Sequence, residues 1–410
     1  IVYIHGLVRD ADGQKMSKSK GNILDPIDLI DGIDIETLVK KRTTGLMRPQ
    51  DASKVEKNTR KEFPAGIPPY GTDALRFTFA SLATTGRNIN FDSKRIEGYR
   101  NFCNKLWNAA RYVLMSTEGQ DTGLNEAPVE LGVAERWIVS RLQTAINTVI
   151  EAIESYRFDL ASQAIYEFIW DEYCDWYLEL SKTTLTSNDA SESAKRGTRQ
   201  TLVRVLENLL RLAHPIMPFI TEEIWQKVAP LAGAKGESIM QQAYPAPDQS
   251  LIDAAATREV DWLKSFILGV RRIRAEYDIK PGKSLPVLVR GGTAEERGWL
   301  KANEQAVKTL IRLESLAEVS GEEIPNAATA LAGEMTVFIP LADLIDPVAE
   351  KARLSKEREK LQQEKDRCDA KLAKPDFVQR APAEVIAKER ARSAELAASI
   401  QRLEEQLGRL

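Results

Sequence analysis

Lys15-Met16-Ser17-Lys18-Ser19-Lys20-Gly21-Asn22 gathers ammonium groups, two hydroxyls and a glycine into one short stretch. Each lysine is a compact, mobile point charge with three donors. The serines add hydroxyl donors, and Gly21 lets the backbone turn tightly. That set suits a polyanion whose charge is spread over several oxygens, such as a polyphosphate. Cations held ready where negative charge grows on a leaving phosphate stabilise a transition state more than its ground state. A solvated basic loop has the same composition, so the flanking elements decide between the two readings.

Those elements are a strand, a loop and a helix. Ile1-Val2-Tyr3-Ile4 is apolar and rich in β-branched and aromatic residues, which predicts a buried strand. Asp10-Ala11-Asp12-Gly13 is turn chemistry. Asp25-Pro26 predicts a helix start, with Asp25 as N-cap and Pro26 as the first helical residue. His5-Gly6 reads as the end of the strand and not as a catalytic pair.

In this context the block resembles the KMSKS loop of class I aminoacyl-tRNA synthetases, extended here by Gly21-Asn22 and Asp25-Pro26. The resemblance implies amino-acid activation, in which a carboxylate attacks the α-phosphate of ATP and pyrophosphate leaves. Lys15 and Lys18 match the two lysines of the family motif, with Lys18 carrying most of the catalytic role. Met16 anchors the loop on apolar neighbours. Ser17 and Ser19 donate either to phosphate or to the loop's own backbone. Together Lys15, Met16, Ser17, Lys18 and Ser19 form the implied ATP-binding set, with Mg²⁺ accompanying ATP and no protein-only metal cage. The family also needs a His-x-Gly-His element ahead of this loop. His5 and His214 are the two histidines, and neither lies in such a motif. The expectation is a carboxy-terminal fragment that does not activate an amino acid alone.

The 410 residues allow two to four domains, and a hydrophobic fraction of 43% builds real cores. No apolar run is long enough to span a membrane, and no signal peptide opens the chain, so a cytoplasmic protein is expected. Cys103, Cys174 and Cys368 are far apart and form no Cys-x-x-Cys pair, which argues against zinc and against a disulfide framework. With a net charge of −3, any nucleic-acid contact must come from local basic patches.

The expected architecture is mainly α, in four regions. Residues 1–90 hold the end of a Rossmann-type catalytic domain with the KMSKS loop and a stem-contact region. There Lys40-Lys41-Arg42 and the stretch from Lys54 to Lys61 read as solvated loop. Residues 91–255 form a helical bundle. Phe102, Leu106, Ala109, Ala110 and Val113 make one buried stripe. Helices follow over about 134–156, around Phe168 to Tyr177, over about 198–213 and from Pro218. Their aromatics are expected mostly in the core. Residues 256–345 read as a small α/β linker domain, with a helix from Val260 to Tyr277 exposing Arg271, Arg272 and Arg274. Strands are expected at Leu285–Val289 and Thr336–Pro340. Residues 346–410 read as an antiparallel coiled-coil hairpin. Leu354, Leu361, Cys368 and Leu372 mark one seam, and Leu396, Ile400, Leu403, Leu407 and Leu410 the other. Prolines at 375 and 382 separate the arms, each roughly 45 Å long at 1.5 Å per residue.

The resemblance extends along the chain. Arg100-Asn101-Phe102-Cys103-Asn104-Lys105-Leu106-Trp107-Asn108 is similar to an element shared by the valine, isoleucine and leucine synthetases. Cys174-Asp175-Trp176-Tyr177-Leu178-Glu179, the stretch from Leu209 to Phe219 and the terminal hairpin resemble the bacterial valine branch most closely. The partners then implied are tRNA(Val), with ATP and valine bound through an absent N-terminal half, and the expected state is a monomer. The bundle would read the anticodon through Lys94, Lys105, Arg111, Tyr112 and Leu178, by stacking and edge bonding to unpaired bases. The arm would touch the tRNA elbow through Arg367, Lys371 and Arg392. Two other classes stay open: a free-standing synthetase-derived RNA-binding protein, and a coiled-coil assembly module. So does the corresponding part of an isoleucyl or leucyl enzyme.

Overall fold

The structure, a computed structural model, describes residues 2, 6–84, 88–321, 324, 327–341, 347–374 and 382–409. The chain divides into two compact units, Ile1–Val260 and Asp261–Leu410. The strand expected over 1–4 falls outside the described residues except for Val2, which is 88% exposed. The expected role of His5 falls outside them too. The first described strand is β1 (Val8–Arg9), paired in parallel with β2 (Ile89–Asn90).

Between these strands the chain builds a helical platform: α1 (Pro26–Asp31), α2 (Ile35–Thr43), α3 (Ala52–Glu62) and α4 (Thr72–Leu82). Asp25 caps α1 as expected, its side chain accepting from the Ile27 amide at 3.0 Å, with Pro26 in the first turn. The loop reading of Lys40–Arg42 and of 54–61 is corrected here, because both stretches are helical. Asp34 caps α2 by accepting from the Thr37 amide at 3.0 Å. The face α3 turns inward is short and half polar, carried by Val55 and the buried Thr59, so its apolar period is hidden. Arg42 is itself buried and donates to Thr59 Oγ1 at 3.3 Å and Glu62 Oε2 at 3.1 Å. Leu24, Leu29, Leu38, Phe63, Ile67, Leu75, Phe91 and Ile96 form the core beneath.

The bundle follows: α5 (Ser93–Thr117), α6 (Val133–Glu154), α7 (Phe158–Glu167), a π-helical segment (Phe168–Tyr177), α8 (Leu178–Leu185), α9 (Glu192–Ala213) and α10 (Pro218–Ala232). The α5 stripe is buried as its spacing predicts, from Phe102 through Val113. Phe168, Tyr173 and Tyr177 are core, while Trp170 and Trp176 are half-buried. Tyr173 donates to the Leu202 carbonyl at 2.9 Å, which satisfies a phenol fully removed from water.

Platform and bundle are joined by a contact that spacing does not announce. Asp73 of α4 accepts from the Phe219 and Ile220 amides at 3.3 and 2.6 Å, so it caps α10 from another helix. Arg76 donates to the carbonyls of Ile216 at 3.0 Å and Pro215 at 3.0 Å. Asp73→Ala strands two helix-terminal N–H groups and is expected to cost about 1–3 kcal/mol in urea unfolding. An unchanged midpoint would mean that water replaces the cap without loss.

In the second unit α11 (Ala254–Glu276), which begins in the first, packs Trp262 and Gly269 on a four-stranded sheet. The sheet has order β4-β3-β6-β5, from β3 (Leu285–Gly291), β4 (Leu313–Glu318), β5 (Ala327–Ala332) and β6 (Met335–Pro340). The two central strands are the expected ones. The two edges were missed because Leu-Glu-Ser-Leu-Ala-Glu has a helical period and Ala-Ala-Thr-Ala-Leu-Ala is poor in β-formers. Two short helices, α12 (Ala294–Ala302) and α13 (Glu304–Leu310), connect β3 to β4, which run parallel. Arg274 corrects another expectation: it is half-buried rather than exposed, while Arg271 and Arg272 are exposed.

The terminal hairpin is α14 (Pro347–Leu372) against α15 (Ala383–Arg409). Leu354, Cys368 and Ile400 are buried in the seam, with Leu361, Leu372, Leu396, Leu403 and Leu407 half-buried. Ser393 donates to Asp369 at 2.6 Å across the pair, and Asp369 also accepts from Lys365 at 2.6 Å.

Candidate functional site

The 15–22 loop is fixed through its backbone and leaves its ammonium groups at the surface. Lys18–Lys20 form one 3₁₀ turn, closed by Gly21 at φ 69°, whose amide donates to the Lys18 carbonyl at 3.0 Å. Asn22 is the strut: its Oδ1 accepts from the Ser17 amide at 2.9 Å, and its Nδ2 donates to Asp10 at 2.8 Å and the Lys15 carbonyl at 3.3 Å. The Ser19 carbonyl accepts from the Met47 amide at 3.0 Å, which ties the loop to the platform. Ser17 and Ser19 bond each other at 3.2 Å. Met16 is half-buried, while Lys15, Lys18 and Lys20 are exposed.

Lys18 stands on the wall of a cavity of about 950 Å³, with Leu24, Asp25, Asp28, Leu38 and Lys40. Lys41 pairs with Asp25 at 3.0 Å and Asp28 at 2.8 Å on the same wall. The Lys41 hydrogen bond, followed by the Ile27 amide, holds the Asp25 carboxyl below its ordinary range. The arrangement can present positive charge to a phosphate chain. Among the described residues no group of three or more His, Cys, Asp or Glu is placed to hold a metal ion.

On the bundle, Lys105, Arg111 and Tyr112 lie on α5, with Lys105 against the π-helical segment and Tyr112 against α8. Tyr112 and Ser181 share a hydrogen bond at 2.9 Å, and Ser181 donates to the Leu178 carbonyl at 2.8 Å. Leu178 is buried, and Arg111 is exposed. Lys105 is bonded to Asp175 at 2.5 Å and lies 3.8 Å from the Trp170 ring centroid. Trp170 stacks on Tyr166 at 5.5 Å and 12°. Lys94 lies on the same helix. Asp92 caps α5, so Lys94 lies in the first turn, about 16 Å along the axis from Lys105 at 1.5 Å per residue. Sequence reasoning missed Trp170 and Asp175 as partners of Lys105. Asp175 is one turn from Asp171 in a stretch that passes for ordinary α-helix, and the π-helical geometry is invisible to a 3.6-residue period.

On the arm, Arg367, Lys371 and Arg392 are all exposed. Lys371 pairs with Glu389 at 3.2 Å and Arg392 with Glu364 at 3.6 Å, both across the hairpin. All three cysteines are free thiols, and burial pushes Cys103 and Cys174 up to about 12.

Three family matches tile most of the chain. Residues 1–92 match the tRNA synthetases class I (I, L, M and V), residues 135–289 the anticodon-binding domain of tRNA ligase, and residues 346–410 the valyl tRNA synthetase tRNA binding arm. The chain belongs to the class I tRNA synthetases. Its terminal hairpin carries the arm described for the valyl members. Among solved structures it is similar to the agnB2 LeuRS of Agrobacterium radiobacter K84 in a ternary complex with tRNA and LeuAMS. That match has 21% identity and a TM-score of 0.40, covering 62% of this chain and 24% of that one. It is also similar to Mycobacterium tuberculosis methionyl-tRNA synthetase in complex with methionyl-adenylate, at 20% identity and a TM-score of 0.38. There the match covers 60% of this chain and 42% of that one. The chain thus spans less than half the length of either structure.

Proposed function

We propose that these residues are the tRNA-binding part of a valine–tRNA ligase, a cytoplasmic monomer that with its remaining domains activates valine with ATP and Mg²⁺ and charges tRNA(Val). One observation supports the valine reading: the 346–410 hairpin matches the valyl tRNA synthetase tRNA binding arm. Lys15 and Lys18 supply cations to the ATP phosphates, with Met16 seating the loop and the Ser17–Ser19 pair shaping it. ATP brings the Mg²⁺. Arg111 and Tyr112, with Lys105 and Lys94 on the same helix and Leu178 behind, meet the anticodon. Arg367, Lys371 and Arg392 meet the elbow.

The test is tRNA binding by the 410-residue chain beside a valine-dependent pyrophosphate-exchange assay. Binding is expected to prefer tRNA(Val) over an isoleucine or leucine tRNA and to weaken with salt as counterions are released. Exchange is expected at the level of the blank, because the sequence holds no His-x-Gly-His element. Arg111→Ala with Tyr112→Ala is expected to cost about 1–3 kcal/mol of cognate binding if a base stacks there. Equal affinity for all three tRNAs would reject the valine reading, and exchange above the blank would reject the division of labour.

A further inference from the structure

A cavity in the second unit takes no part in the sites above. It lies where the end of α11, the following turn and the α13–β4 junction meet, with a volume of about 540 Å³. Arg274, Asp278, Thr309, Ile311 and Arg312 stand on its wall. Arg274 is half-buried and donates to the carbonyls of Ile311 at 2.8 Å, Arg312 at 3.3 Å and Lys280 at 3.3 Å. Carbonyl oxygens orient a guanidinium without neutralising it. Burial, and then the neighbouring Arg312, push Arg274 below its ordinary value.

Arg312 is held there at a backbone cost. Its φ is 49°, and that of Asp278 across the cavity is 47°, both in the left-handed region. A non-glycine residue there is strained, and such residues cluster at ligand-binding sites. The Lys280-Pro281-Gly282-Lys283 turn adds two exposed lysines beside it, and a Cβ on Gly282 would stand 3.9 Å from Arg312 Nη1. Arg274 and Arg312 share this wall, and an anion between two like charges relieves their repulsion. The cluster is open to solvent and extended along the turn, which suits a chain of phosphates better than one enclosed ion.

We propose that Arg274, Arg312 and the 280–283 turn bind phosphodiester groups of the tRNA backbone, a contact separate from the anticodon and elbow sites. This rests on the tRNA-binding reading above. The discriminating variant is Arg312→Gly, because glycine adopts the observed φ more readily than arginine while the charge is removed. In salt titrations of tRNA binding by the 410-residue chain, the slope of log affinity against log salt should become shallower by about 1. Affinity at low salt should fall about 3–10-fold, alike for cognate and non-cognate tRNA, since a phosphate contact reads no base. Arg312→Asn, which also tolerates a left-handed backbone, should give the same slope change, and Arg312→Lys should keep the wild-type slope. Melting temperatures are measured beside each, and either uncharged variant that melts like wild type carries the test. Wild-type slope and affinity in such a folded variant would overturn this site and leave the tRNA reading standing. A wild-type chain with no salt-dependent tRNA binding would overturn the tRNA reading, and this one with it.

Discussion

Gly21→Ala is expected to lift the 15–22 loop from its platform and to lower local stability by about 2–4 kcal/mol. A Cβ at this position would stand 2.6 Å from the Arg42 carbonyl oxygen, 2.8 Å from Val55 Cγ1 and 2.9 Å from Leu46 Cδ2. The nearest of these is backbone of α2 and cannot swing aside as a flexible side chain would. The φ of 69° adds its own penalty for a residue with a side chain. Hydrogen exchange is the measurement: the amides of 17, 21 and 47 should lose protection, while α9 keeps its own. In a full-length enzyme the same change should slow activation, with tRNA affinity nearly unchanged. Wild-type protection at those three amides would show that the platform yields.

Glu207→Ala should be the most damaging single change in the bundle, at about 2–4 kcal/mol, because it leaves a half-buried cation and a buried indole donor without this acceptor. Glu207 is itself buried, accepting from Trp225 Nε1 at 3.0 Å and from Arg211 at 2.9 and 3.1 Å. Arg211 in turn donates to the Ala243 carbonyl at 2.8 Å, so the carboxylate ties α9, α10 and the following segment together. Glu207→Gln keeps an acceptor for Trp225 but removes the charge facing Arg211, and should lose less. Urea unfolding of the two variants measures both numbers. Equal midpoints for wild type and Glu207→Ala would show that Arg211 and Trp225 find other partners, and would remove this network from the account of why the bundle holds its shape.

Much of the first unit was legible because local rules and tertiary packing agree there. Asp25 and Pro26 open α1 by capping and by a preset φ, both properties of adjacent residues. The α5 stripe follows from helical spacing alone, as does the leucine seam of α14 and α15. The failures share a different cause. Asp73 caps a helix whose first turn lies more than 140 residues away in sequence, and no local pattern records that. Arg42 sits in a basic run that reads as solvated, yet α3 folds over it and supplies Thr59 and Glu62. The edge strands β4 and β5 take their conformation from neighbours in the sheet and little from their own composition.

Several features were legible along the chain: a loop of lysines and serines, a capped helix after it, amphipathic helices, and a two-seamed hairpin. Side-chain type and spacing are written in the chain, and periodicity converts them into faces. Packing adds which of those groups are already engaged. Lys105 and Lys371 look alike as exposed cations in the sequence. In the fold one is locked to Asp175 against Trp170, and the other bridges a coiled coil. Asn22, an ordinary loop amide in the sequence, becomes the strut of the KMSKS loop because Asp10 and Ser17 are brought to it. Charge acts over a few ångströms, and the chain alone does not say which residues will be that close.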